Sequence, residues 1–274
     1  MASSKSLEEE LTDLNIKGDL SQLSKDDKEL LKRLGIEYRY GCLTENRAES
    51  CHLLAQFKAV YEKNRLEASE LFKKTCERED YYGPSCWFYA QYLIHGKGNY
   101  PIDEDKAYWA VSRACHDAKL PGALPCRVAA GVELKGSVSG KVPSDPEKAL
   151  ATLTRACETL TDGESCQQLS AWFLDPAVLE TQPEPKNRNE RKSRAEAMEA
   201  HKWISERIPP DMAKARRYAE MACEWAVPEA CVNLAHMYRR GDGVQRDDWK
   251  AEEYQAKAQK IFDMYRGARV IHPT

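Results

Sequence analysis

No apolar run in this 274-residue chain approaches the ~20 residues that a membrane-spanning helix needs. There is no basic excess either: the formal charge is −3, so attraction to nucleic acid has no electrostatic support. The opening stretch, MASSKSLEEELTDLNIKGDLSQLSKDDKEL, lacks the basic start and apolar core of a secretory signal. It also lacks arginine and carries Glu8, Glu9 and Glu10, which argues against a mitochondrial matrix presequence. No CxxC or CxH pair occurs, so the usual spacings of zinc sites and redox centres are missing. No acid pair, Ser/His/Asp set or phosphate-binding glycine loop stands out, and no catalytic residue is expected.

What is present is an even number of cysteines, ten. Ten free thiols would be unusual in a structural protein of the reducing cytosol, where disulfides rarely persist. The cysteines and the missing signal therefore pull in opposite directions. With charged residues at 31%, the composition suits a helical surface around a sizeable core.

The chain repeats itself. EASELFKKTC (67–76), KAYWAVSRAC (106–115), KALATLTRAC (148–157) and KARRYAEMAC (214–223) each place alanine eight residues before a cysteine. Between them, apolar residues such as Ala107, Ala110, Val111 and Ala114 fall at helical spacing. Asp145-Pro146 and Asp211 mark helix starts. A second segment begins with cysteine, has a small residue four on and glycine ten on: CWFYAQYLIHG (86–96), CRVAAGVELKG (126–136) and CVNLAHMYRRG (231–241). CQQLSAWFLDP (166–176) keeps Ser170 but puts proline at the glycine position, and CHLLAQFKAVY (51–61) keeps Ala55 without the glycine. These segments predict an all-α solenoid of about five helical hairpins, at the ~34–47-residue period of such folds. The small residues let neighbouring helices approach. Helix propensity alone would explain how many alanines there are, but not their fixed positions.

On this reading the cysteines form five local pairs: Cys42/Cys51, Cys76/Cys86, Cys115/Cys126, Cys157/Cys166 and Cys223/Cys231. In each, the first ends one helix and the second begins the next, so a tight turn brings them to the ~5.5–6 Å Cα separation of a disulfide. The last predicted helix, KAEEYQAKAQ (250–259), has Gln259 at the cysteine position, where a bond would have no further helix to reach. Structural disulfides without a secretory signal point to the mitochondrial intermembrane space. A redox-active or haem-handling thiol protein is the alternative, and a secreted relative of the same repeat is a third reading, disfavoured by the opening residues.

CVNLAHMYRRGDGVQRDDWKAEEY resembles the SEL-one-like repeat, a relative of the tetratricopeptide hairpin, in its small residue, tyrosine, Gly-x-Gly turn and Lys-Ala opening. AQYLIHGKGNYPIDEDKAYWAVSRAC fits the same frame. Five cysteine pairs, led by IEYRYGCLTENRAESC and closed by MACEWAVPEACVNLAHMYRRGDGV, resemble the cytochrome c oxidase assembly factor 7 family from about Glu37 to Gly267. The resemblance implies an intermembrane-space α-solenoid imported through the disulfide relay. It would assist biogenesis of respiratory complex IV without catalysing a reaction, and its partners would be complex IV subunits or assembly factors.

The predicted organisation is a mobile acidic arm over 1–25, a solenoid over 26–267 entered through a helix near Asp26 to Arg33, and a tail over 268–274. The chain departs from the family pattern between Asp175 and Pro210, in a charged insertion over about 176–210. There Pro183 and Pro185 open a flexible stretch, and Ser193 to Arg207 form a short charged helix. Lys186, Arg188, Arg191, Lys192 and Arg194 make it locally basic. A solvated insertion is favoured over contact with an anionic lipid surface. The aromatics Trp87, Phe88, Tyr89, Tyr92, Trp109, Trp172 and Phe173 read mainly as core. His95, His116 and His236, on or beside repeat helices, are the candidates for haem or copper ligation, although a lone helical histidine is usually structural. No cofactor is expected, haem being the one considered.

Overall fold

The computed structural model describes residues 24–97, 100–117, 119–180 and 188–270. Most of the expected N-terminal arm, and Pro183 and Pro185 of the insertion, lie outside the described residues. The described elements are all helical: α1 (Lys25–Leu43), α2 (Ala48–Val60), α3 (Arg65–Glu77), α4 (Gly83–His95), α5 (Glu104–Cys115), α6 (Ala123–Lys135), α7 (Pro146–Thr154), α8 (Gly163–Phe173), α9 (Pro176–Glu180), α10 (Arg188–Ser205), α11 (Met212–Glu224), α12 (Pro228–Arg240) and α13 (Asp248–Val270). The predicted hairpins are α2/α3, α4/α5, α6/α7, α8/α11 and α12/α13, an all-α solenoid class of fold.

The described residues divide into two compact units, with the division falling at the end of α6. In the first, α1 to α5 pack each on the next. Its core holds Leu31, Tyr38, Leu54 and Phe57 at one end and Phe72, Tyr89, Leu93 and Val111 further along. In the second, α8 packs on α11, α11 on α12 and α12 on α13.

The same bracket closes each hairpin. The residue seven positions after the second cysteine of a pair accepts, through its carbonyl, the N–H of the residue that caps the following helix. The bonds are Asn64 to Lys58 (2.8 Å), Asp103 to Leu93 (3.2 Å), Asp145 to Glu133 (2.7 Å), Asp211 to Phe173 (2.9 Å) and Asp247 to Tyr238 (2.9 Å). Each capping side chain then accepts a backbone N–H of the first helical turn, 3.0–3.2 Å away, satisfying a donor that the helix leaves open. Where glycine was predicted to stop the first helix, Gly96, Gly136 and Gly241 have φ of 58°, 78° and 82°, a region that strains any residue with a Cβ.

Three boundaries differ from the sequence reading. α1 runs to Leu43, because Leu31, Gly35, Tyr38 and Cys42 continue one buried stripe well beyond Arg33. The insertion helix covers Arg188–Ser205 in place of 193–207: strong helix formers start it earlier, and Pro209-Pro210 stops the chain after Ile208, which is buried. The third hairpin's second helix does not stay α-helical to its cysteine. After Thr154 it makes one π-helical turn over Arg155–Thr159, closed by the N–H of Leu160 on the carbonyl of Arg155. The expected tail also begins as helix, since α13 reaches Val270.

Candidate functional site: the cysteine-paired turns

The five turns that lead into the hairpins are built alike. In four of them the residue four positions before the second cysteine donates its N–H to the carbonyl of the residue just before the first. These bonds are Arg47 to Gly41 (2.9 Å), Gly122 to Ala114 (3.0 Å), Asp162 to Ala156 (3.2 Å) and Val227 to Ala222 (3.0 Å). That acceptor is always glycine or alanine, since a larger side chain would hold the two helices apart. A Cβ on Gly41 would lie 2.4 Å from Ser50 Oγ. Asn46, Thr161 and Ala226 take a left-handed backbone, φ 53–62°, to fit such short connections.

With the backbone so held, each pair's Cα atoms lie 4.5–4.8 Å apart. The sulfurs of Cys42 and Cys51, Cys76 and Cys86, Cys115 and Cys126, Cys157 and Cys166, and Cys223 and Cys231 meet at disulfide distance. These are the five pairs that the spacing predicts, closing loops of 8 to 11 residues. Eight of the ten cysteines have no exposed surface, and Cys42 and Cys51 have 6%. Thiol–disulfide exchange needs a thiolate to reach a sulfur, so burial shields these bonds. The alanines that set the repeat pattern lie beside them, with Ala55, Ala90, Ala130 and Ala235 wholly buried.

The histidines singled out in the sequence are dispersed. His95 and His236 lie on the exposed surfaces of α4 and α12, and His116 caps the end of α5. The His116 ring bonds the Ser112 carbonyl at 2.8 Å, and burial together with Arg239 and Arg240 lowers the pKa of His236. Among the described residues no three of His, Cys, Asp and Glu converge as a metal site requires. Of the aromatics, Tyr89, Trp172 and Phe173 are buried and Trp109 is 40% exposed, its ring 5.2 Å from the Arg113 guanidinium.

Two polar residues that the sequence did not single out tie neighbouring turns together. His52 follows Cys51, is 4% exposed, and sits 3.0 Å from Ser85 Oγ, next to Cys86. Rings of Phe72, Tyr82 and Phe88 surround it, and burial pushes its pKa down to about 3. Asp117 lies between Cys115 and Cys126 and is 5% exposed. Its carboxylate accepts the N–H groups of Gly83 (2.5 Å), Lys119 (2.7 Å) and Leu120 (3.0 Å), joining the second and third turns. Neither had a repeat signal: the residue after the second cysteine is His52, Trp87, Arg127, Gln167 or Val232. The Ser85 hydroxyl and the His52 ring that it meets are both buried, so this pair is closed to a substrate. What the arrangement does is fix the spacing of successive helical hairpins.

The Sel1 repeat family matches residues 83–109, 126–158, 205–224 and 228–258, the core of the hairpins from α4 onward. The chain is 29% identical over 237 residues to cytochrome c oxidase assembly factor 7 of Xenopus tropicalis, covering 86% of this chain and 89% of that protein. The human protein of that name is likewise 29% identical, over 85% of this chain and 88% of its own length. The chain carries Sel1 repeats and is similar to the cytochrome c oxidase assembly factor 7 proteins over most of its length. A Drosophila melanogaster homolog of the same name aligns at 29% identity with 87% of this chain and 90% of itself. The crystal structure of a Sel1 repeat protein from Oxalobacter formigenes overlays 95% of this chain with a TM-score of 0.51 at 17% identity. The chain spans 60% of that protein's length, and the likeness bears on the Sel1 fold alone.

Proposed function

We propose that this protein is a non-enzymatic assembly factor for cytochrome c oxidase, acting in the mitochondrial intermembrane space as a disulfide-stapled helical scaffold. The observation that carries the reading is the placement of all ten cysteines as five buried pairs, one at the turn leading into each hairpin. Such pairs serve a protein that folds where thiols are oxidised. The relatives' name supplies the complex, and the repeat supplies a means: stacked hairpins present surfaces for binding other proteins. Partners on this reading are subunits or assembly factors of the oxidase and, during import, the disulfide relay. The charged insertion over 176–210 is a solvated elaboration of the fourth hairpin, and no cofactor is needed.

Protease protection tests the compartment, and crosslinking in intact mitochondria tests the role. The protein should be shielded in whole mitochondria and digested once the outer membrane is ruptured. The captured partners should include subunits or assembly factors of the oxidase. Protection that survives rupture, or a catch without such proteins, contradicts the proposal. A Soret band on haem titration that is removed by substituting His95, His116 or His236 would favour the haem-handling reading instead.

A further inference from the structure

α13 is longer than the second helix of any other hairpin, running to Val270 whereas α3, α5 and α11 end at or one residue past their cysteine. Its extra turns carry Phe262, Tyr265 and Arg266, spaced three and four residues apart and therefore on one face. That face rests against the Cys223–Cys231 turn, where the Tyr265 hydroxyl donates to the carbonyl of Ala226 at 2.9 Å. Together with the Cys157–Cys166 turn they enclose an open cleft of about 650 Å³. Trp225, Phe262 and Tyr265 give it aromatic walls, and the carboxylates of Glu164 and Glu229 stand in its lining against the single guanidinium of Arg266. Phe262 and Tyr265 keep 37% and 52% of their surface exposed.

We propose that this cleft binds a lysine or arginine side chain presented by an exposed segment of a protein partner. Aromatic faces attract cations, most strongly where water is partly excluded. The carboxylates complement the same charge and speed its capture. An acidic segment would be repelled by the carboxylates, and an apolar one would displace water from a charged lining. This inference goes beyond the proposed function, because it depends on neither the compartment nor the complex.

The test titrates the full-length, oxidised protein with the blocked peptide Ala-Arg-Ala-Arg-Ala and with its glutamate counterpart. The Trp225 indole N–H is followed by NMR, with Trp225→Phe to assign it. The arginine peptide should give a saturable shift that weakens with salt, and the glutamate peptide none. Joint Glu164→Gln and Glu229→Gln substitution should weaken binding by roughly fivefold or more and flatten the salt dependence. Both positions are exposed, so the circular dichroism of the double variant should match the parent, with Tm lowered only slightly by the loss of two acidic residues from first helical turns. No shift at millimolar peptide, equal shifts from both peptides, or unchanged affinity in the double variant would overturn the proposal.

Discussion

The backbone N–H of Val227 donates to the carbonyl of Ala222 over 3.0 Å, and Cys223 and Cys231 meet just inside that bond. The main chain thus bridges this turn alongside the sulfurs. Replacing both cysteines by serine should leave the helical circular dichroism intact. Stability should fall by about 2.5 kcal/mol, the loop-closure entropy for a crosslink of this length. Urea denaturation without reductant measures the loss. A collapse of helical signal would show that the sulfurs are needed to make the turn.

Ala235 is wholly buried at the position of closest helix approach. Ala235→Leu should cost about 1–3 kcal/mol by overpacking. Ala200→Leu, on the exposed face of α10, should change stability by no more than about 0.5 kcal/mol. Equal effects at the two sites would remove the packing reason given for the repeat's small residues.

Asp103 caps α5, and the backbone N–H of Lys106 holds its pKa below the ordinary carboxylate range. A carboxylate depressed in the folded state stabilises fully above its unfolded pKa, and that contribution is lost as pH falls through the folded value. Asp103→Ala should therefore cost about 1 kcal/mol at neutral pH. Asp103→Asn should keep most of the cap and lose its share of the acid dependence, which thermal unfolding at pH 3 and pH 7 compares.

His52 also has a lowered pKa, here because burial disfavours the charged ring: it falls from 6.5 to about 3. The unfolded chain therefore takes up a proton between those values that the folded chain refuses. Stability is complete above pH 6.5 and falls as pH drops toward 3, by about 1.4 kcal/mol per pH unit from this residue. His52→Gln should remove that part of the slope between pH 6 and 5 in denaturant titrations. An unchanged slope would mean that His52 is open to solvent.

The sequence shows the hairpins, the cysteine partners and the helix starts because each depends on a residue type at a fixed position. Alanine eight before one cysteine and four after the next is such a marker, and so is the aspartate before Lys106, Lys148, Lys214 and Lys250. What it hides depends on backbone geometry or on one repeat alone. The N–H bond that aligns four of the five turns comes from Arg47, Gly122, Asp162 or Val227, residues with no shared side-chain chemistry. The π-helical turn at Cys157 takes in the end of KALATLTRAC, a segment whose pattern matches its α-helical siblings. His52, Asp117 and the aromatic wall around Trp225 each occur in one turn only, so no comparison between repeats could find them.

The most direct test of the stapled-scaffold account is the thiol count of the native protein. Protein from intact mitochondria, trapped with an alkylating agent under denaturing conditions and without reductant, should carry no label on any of its ten cysteines. Peptide mapping should recover Cys42–Cys51, Cys76–Cys86, Cys115–Cys126, Cys157–Cys166 and Cys223–Cys231 as linked pairs. Label on most of the cysteines, or linkage between different partners, would contradict the account.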